Sequence, residues 1–161
     1  MFMAKINLNL RDLIVHGNFG PIELGISKND LLAQGLMPEA WFAEKSMEES
    51  TCWKYGDFEF YFDVNMKLES IFTDYVVRKF DGGKKIIITD WWLFKKKRIT
   101  LKKTIKELLS LQINFKKEFI EPGYILISLP NGIRFGFDYM ENSKEDQNNW
   151  TMTFIEIKAA P

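Results

Sequence analysis

The sequence predicts an α+β fold built as two tandem helix-plus-antiparallel-hairpin pseudo-repeats around a sheet-centred core. Three observations carry that expectation. Runs of apolar residues at period two dominate the chain, two short capped helical patterns interrupt them, and a set of positions recurs at a constant offset of 77 residues. A length of 161 residues suits one domain, residues 1–161, large enough to bury a core without metal or disulfide help. With 46% hydrophobic residues and 14 phenylalanines, that core is aromatic-rich, and the composition argues against disorder.

Taken in order, AKINLNL alternates Ile6, Leu8 and Leu10 with polar residues, the pattern of a half-buried strand. ISKNDLLAQG then offers Ser27 as a helix cap, Asp30 in the first turn, Leu31 and Leu32 for burial and Gly35 as the stop. In TCWKYGDFEFYFD, Phe58, Phe60 and Phe62 share one face of a strand; VNM turns the chain and KLESIFTDYVV returns as the partner. After Gly82-Gly83, KKIIITDWWLF is apolar on both faces, with Trp91 and Trp92 pointing oppositely, so a strand between layers is expected. ITLKKTIKELLSLQI is a second capped helix, YILISLPNGIRFGFD a hairpin turning at Pro130-Asn131-Gly132, and WTMTFIEIK a closing strand.

The repeat is read without gaps. Ile22, Leu24, Ser27, Asp30, Leu31, Leu32 and Leu36 correspond to Ile99, Leu101, Thr104, Glu107, Leu108, Leu109 and Ile113. The same offset carries Phe58, Phe60 and Phe62 onto Phe135, Phe137 and Tyr139. The units expected from this are residues of about 20–80 and 97–158.

Net charge is zero but unevenly spread: residues 1–77 hold 6 Lys+Arg against 12 Asp+Glu, and residues 78–161 hold 16 against 10. Eleven of the basic residues fall within 78–106, ending the WWLFKKKR segment in Lys95, Lys96, Lys97 and Arg98. These four are an alternative anion-binding site for nucleic acid or an anionic surface; the default reading is solvated faces of edge strands and a helix, with the tryptophans packed inside. Acidic flanks on the chain oppose a nucleic-acid backbone. With one histidine, His16, and one cysteine, Cys52, the sequence offers no metal-ligand cluster, and no catalytic or phosphate-binding motif occurs. Asp57, Glu59 and Asp63 alternate opposite the phenylalanines, a row better read as solvated sheet surface than as a catalytic pair. No enzyme activity, cofactor or metal is expected. A lone cysteine, no secretory signal and no apolar run of membrane-spanning length point to the cytoplasm and to no membrane partner.

GPIELGISKNDLLAQGLMP, followed by CWKYGDFEFYFD and KLESIF, resembles a segment of small bacterial immunity proteins, many of them encoded beside a toxin, including those of contact-dependent growth inhibition and polymorphic toxin systems. The shared features are Gly-Pro-Ile-x-Leu-Gly at residues 20–25, a capped helix, and Tyr-Gly-Asp-aromatic-Glu-aromatic at residues 55–60; the resemblance spans roughly residues 20–72. A duplicated helix-then-sheet unit is also similar to the beta-lactamase inhibitor protein architecture. The resemblance implies stoichiometric neutralisation of a cognate toxin domain, in many such pairs a nuclease.

A basic nuclease cleft calls for an acidic surface with aromatic anchors. The candidate partner-binding residues are Glu39, Trp41, Phe42, Glu44, Glu48, Glu49, Asp57 and Glu59, centred on the segment MPEAWFAEKSMEES between helix and hairpin. The competing reading folds Trp41 and Phe42 into the core.

Overall fold

A computed structural model describes residues 4–74, 76, 80–95, 98–139 and 146–160. The chain is α+β. In order it forms β1 (Ile6–Asn9), α1 (Leu10–His16), α2 (Lys28–Ala33), β2 (Ala40–Trp41), β3 (Cys52–Tyr55), β4 (Phe58–Phe62), β5 (Leu68–Thr73) and β6 (Ile86–Thr89). There follow α3 (Leu101–Ser110), β7 (Lys116–Ile120), β8 (Tyr124–Ser128), β9 (Ile133–Asp138) and β10 (Thr151–Lys158), with single 3-10 turns at Trp92–Lys95 and Gln147–Asn149.

Eight strands make one antiparallel sheet in the order β2-β3-β4-β5-β10-β9-β8-β7. Two four-stranded meanders thus meet through their last strands, and a helix precedes each. Alternation decides the faces. Trp53, Tyr55, Phe58, Phe60 and Phe62 of the first meander and Ile133, Phe135, Phe137, Ile155 and Ile157 of the second are buried in one continuous core with Leu10 and Leu13 of α1, Leu31 of α2 and Leu108 of α3. The opposite face carries half-buried Glu59, Tyr61, Phe72, Arg134 and Glu156. β1 and β6 form a separate parallel pair in which Ile6 lies opposite Ile86.

The two halves share more than strand order. Ser27 and Thr100 cap α2 and α3, accepting from the Asp30 and Lys103 N–H groups. Just before each cap the chain bonds the start of its meander's last strand: Leu68 N–H donates to the Ile26 carbonyl at 2.8 Å, and Met152 N–H to the Ile99 carbonyl at 2.8 Å. Each helix ends on a left-handed residue, Gly35 and Gln112, with Leu36 N–H returning to Leu31 and Ile113 N–H to Leu108. Both hairpins before the seam carry a bulge, between Tyr61 and Phe62 opposite β5 and between Met152 and Phe154 opposite β9.

The single offset of 77 needs correction. It holds at the helix C-termini, but the caps Ser27 and Thr100 lie 73 apart, because α3 has 10 residues and α2 has 6, one turn fewer. Thr104 is therefore no cap; it sits inside α3 with its hydroxyl on the Thr100 carbonyl. Across the bulges Phe62 matches Phe137, and a slip of two residues keeps every phenylalanine on the same face. Phe58, Phe60, Phe135 and Phe137 are accordingly all buried, while Tyr139 lies beyond β9 and is 45% exposed.

Other expectations also change. TCWKYGDFEFYFD is a hairpin in itself: Tyr55 pairs with Phe58 around Gly56-Asp57, and Gly56 at φ 58° supplies the left-handed turn that joins β3 to β4. Leu10 opens α1, where Asn9 caps the N–H groups of Arg11 and Asp12 and Gly17 ends the helix at φ 73°. KKIIITDWWLF is no strand between layers. Only Ile86–Thr89 is extended, Ile87 is 48% exposed, and Trp92–Lys95 is 3-10. Trp91 is buried; the side chain of Trp92, like Lys96 and Lys97, falls outside the described residues.

Candidate partner-binding loop

Strands β2 and β3 are bridged by residues 42–51, a loop long enough to move freely unless something holds it. Lys28, in the first turn of α2, does so. Its side chain is 5% exposed, and its ammonium donates to the carbonyls of Ser50 at 2.5 Å, Glu48 at 2.7 Å and Met47 at 3.5 Å. It lies 5.0 Å from the Trp53 ring and 5.1 Å from that of Phe62, so aromatic faces supply part of the solvation that water has lost. Burial lowers its pKa, opposed by the nearby charge of Glu48. Trp53 Nε1 adds a 2.8 Å bond to the Met47 carbonyl, and the Ser50 hydroxyl accepts from Phe42 N–H and donates to the Cys52 carbonyl. The loop's inward carbonyls are thus satisfied from below, which leaves its other side free to point outward.

That outward side carries the aromatic pair. Trp41 is 41% and Phe42 48% exposed, so the reading that buries them in the core is overturned. Trp41 is on the edge strand, paired with Trp53, and its indole N–H caps the loop at the Lys45 carbonyl, 3.1 Å away. Beside Phe42 a cavity of about 370 Å³ opens, lined by Ala43, Glu44, Lys45 and Thr51. Glu44, Glu48 and Glu49 are all exposed. Glu49 accepts from the Ser46 hydroxyl and backbone and shapes the loop, whereas Glu44 and Glu48 make no side-chain hydrogen bond or ion pair among the described residues.

The remaining candidates lie elsewhere. Glu39 accepts the Lys84 N–H, and Asp57 accepts the Asp81 N–H at 2.7 Å, so both carboxylates fasten the segment before β6 onto the first meander. Glu59 lies on the far sheet face, paired with Lys54 at 2.8 Å and accepting from the Tyr61 hydroxyl. Asp57, Glu59 and Asp63 do not form one row: Asp57 is in a turn, and Asp63 accepts from Asn65 and Lys67 N–H in the next turn.

Among the described basic residues, Lys85 and Arg98 are taken up by partners of their own. Lys85 is buried, its ammonium 2.8 Å from the Gly35 carbonyl at the end of α2, where the helix dipole favours a cation. Arg98 is taken up by Thr151 Oγ1 and the Asn149 carbonyl. Lys95 is exposed, and Lys96 and Lys97 fall outside the described residues. Cys52 is buried in β3, its thiol pushed up to about 11 by burial and then by Glu59, and His16 is exposed at the end of α1. No described helix is long and apolar enough to cross a membrane.

Lys28 is the residue that sequence reasoning missed. Its position in ISKND reads as a solvated helix residue, and only the Trp53 and Phe62 rings above it would have hinted otherwise. Comparison with protein-family models, curated proteins and solved structures finds no match for this chain.

Proposed function

We propose that this chain is a cytoplasmic immunity protein, which neutralises one cognate toxin by stoichiometric binding through the loop after β2. The observation that carries the reading is the outward placement of Trp41 and Phe42 on a loop fastened from beneath by Lys28. An exposed aromatic pair on an ordered support loses little conformational entropy on binding, which is what an anchor residue needs. Exposed Glu44 and Glu48, free of side-chain hydrogen bonds among the described residues, suit a basic partner such as the phosphate-binding cleft of a nuclease. The sequence resemblance to immunity proteins over residues 20–72 covers α2, this loop and the β3–β4 hairpin.

The test is association of the purified protein with the toxin domain encoded beside its gene. Glu44→Lys with Glu48→Lys should slow association by about tenfold or more at low salt and narrow the gap to wild type at 1 M salt, where the Debye length falls to roughly 3 Å. An unchanged rate constant with unchanged protection of cells would remove this loop from the interface.

A further inference from the structure

At the opposite edge of the sheet, where the strands of the second meander end, lies a cavity of about 650 Å³ that the toxin-binding reading does not use. Volumes of roughly 300–1,000 Å³ are typical of small-molecule sites. Its apolar wall comes from Phe115, Leu129 and Pro130, and its polar rim from Lys116, Glu118, Arg134 and Lys158. Gly132, at φ 88°, precedes the return strand and lets the backbone of Lys158 close in where a side chain would stand, the Lys158 N–H donating to the Gly132 carbonyl at 3.1 Å.

The register places the cations around one opening. Lys116 and Arg134 both stand opposite Ser128, on its two flanking strands, and Arg134 is opposite Glu156, two residues before Lys158 on the same face of β10. Two of the positive charges are already answered, Lys116 by Glu118 at 2.8 Å and Arg134 by Glu156. Lys158 has no ion pair among the described residues. Arg134 is half-buried with its guanidinium already on Glu156, so it adds positive potential to the rim without a free charge. One unanswered cation beside an apolar wall describes a particular ligand.

We propose that this cavity binds a monocarboxylate carried on an apolar body, the carboxylate meeting Lys158 and the body lying against Phe115, Leu129 and Pro130. A cation is opposed by the net positive rim. A neutral apolar molecule leaves Lys158 unanswered, and a dianion exceeds the single uncompensated charge. The same chemistry is offered by a short fatty acid and by a peptide ending in an apolar residue, and the test separates them.

Amide NMR spectra of the full chain are titrated with octanoate, 1-octanol, octylammonium and N-acetyl-Leu-Phe as free acid or amide. Octanoate should shift the amides of Lys116, Gly132, Arg134 and Lys158 saturably, with octanol and octylammonium weaker by about tenfold or more. Lys158→Glu should weaken octanoate by a similar factor while leaving distant amides in place, and Ser128→Phe, which narrows the cavity, should abolish saturation. Binding of the free-acid peptide in preference to both octanoate and the amide supports the site with a chain terminus as its ligand. Absence of saturable shifts for every acid, equal affinity across the three octyl probes, or octanoate binding untouched by Lys158→Glu would each overturn the proposal.

Discussion

Replacing Lys28 by methionine tests whether the loop is held in the way its contacts imply. Methionine keeps the length of the side chain and its packing against Trp53 and Phe62, so the change isolates the ammonium. Two short bonds are removed, to the Ser50 and Glu48 carbonyls at 2.5 and 2.7 Å; at about 1.5–3 kcal/mol for each charge-assisted bond the gross loss is about 3–6 kcal/mol. Part returns because the buried ammonium no longer has to be desolvated, the same cost that lowers its pKa. The loop can also turn the freed carbonyls to water. A net loss of about 2–3 kcal/mol is expected, or a Tm drop of about 4–12 °C for a domain of this size. Hydrogen exchange gives the sharper readout. Amides of Phe42, Ser50 and Cys52, all tied to the loop's inner side, should exchange faster, while those of β9 and β10 keep their protection relative to global unfolding. A Tm within about 2 °C of wild type together with unchanged exchange at Phe42 and Ser50 would show that Lys28 does not hold the loop.

Trp41→Ala and Phe42→Ala should each change stability by less than about 1 kcal/mol, because both rings are already about half in water, yet on the proposed function weaken binding of the cognate toxin by about 2 kcal/mol or more; denaturant unfolding and calorimetric titration measure the two effects. Gly56→Ala should cost about 2–4 kcal/mol, since φ is 58° and the backbone of residues 81–83 fills the space of a Cβ; Gly25→Ala, at φ 90° with open space around it, should cost only about 1 kcal/mol, and equal costs would refute the crowding argument. The Cys52 thiol is raised from 9.0 to about 11, so its protonated form stabilises the fold below pH 9 and that contribution is lost as pH rises through 11. The stability difference between wild type and Cys52→Ser should therefore shift against wild type by about 2 kcal/mol between pH 9 and pH 11 in urea titrations; a difference independent of pH would contradict the burial of the thiol as the cause.

The apolar pattern of each half was legible because buried phenylalanines and leucines keep their spacing wherever strand alternation and helix period must be satisfied. The register between the halves was not, because the extra helical turn of α3 and a two-residue slip in the strands leave the buried faces unchanged. The Tyr-Gly-Asp-Phe turn was overlooked for a related reason: the alternation of aromatic residues runs through Gly56 as if the strand continued, and only the left-handed φ of that glycine breaks it.

By itself the sequence determined the α+β class, the two capped helices, the aromatic face of the sheet and the acidic character of the segment before β3. These follow from local rules: period, capping chemistry and charge are properties of neighbouring residues. Tertiary structure alone decided that Trp41 and Phe42 face outward, that Asp57, Glu39, Lys85 and Arg98 spend their charge on backbone and side-chain partners far along the chain, and that Lys28 is buried beneath a loop some 20 residues away. Whether a polar side chain is a free surface or a fastening depends on which unsatisfied backbone groups come within about 3 Å of it, and that is settled only when distant segments pack together.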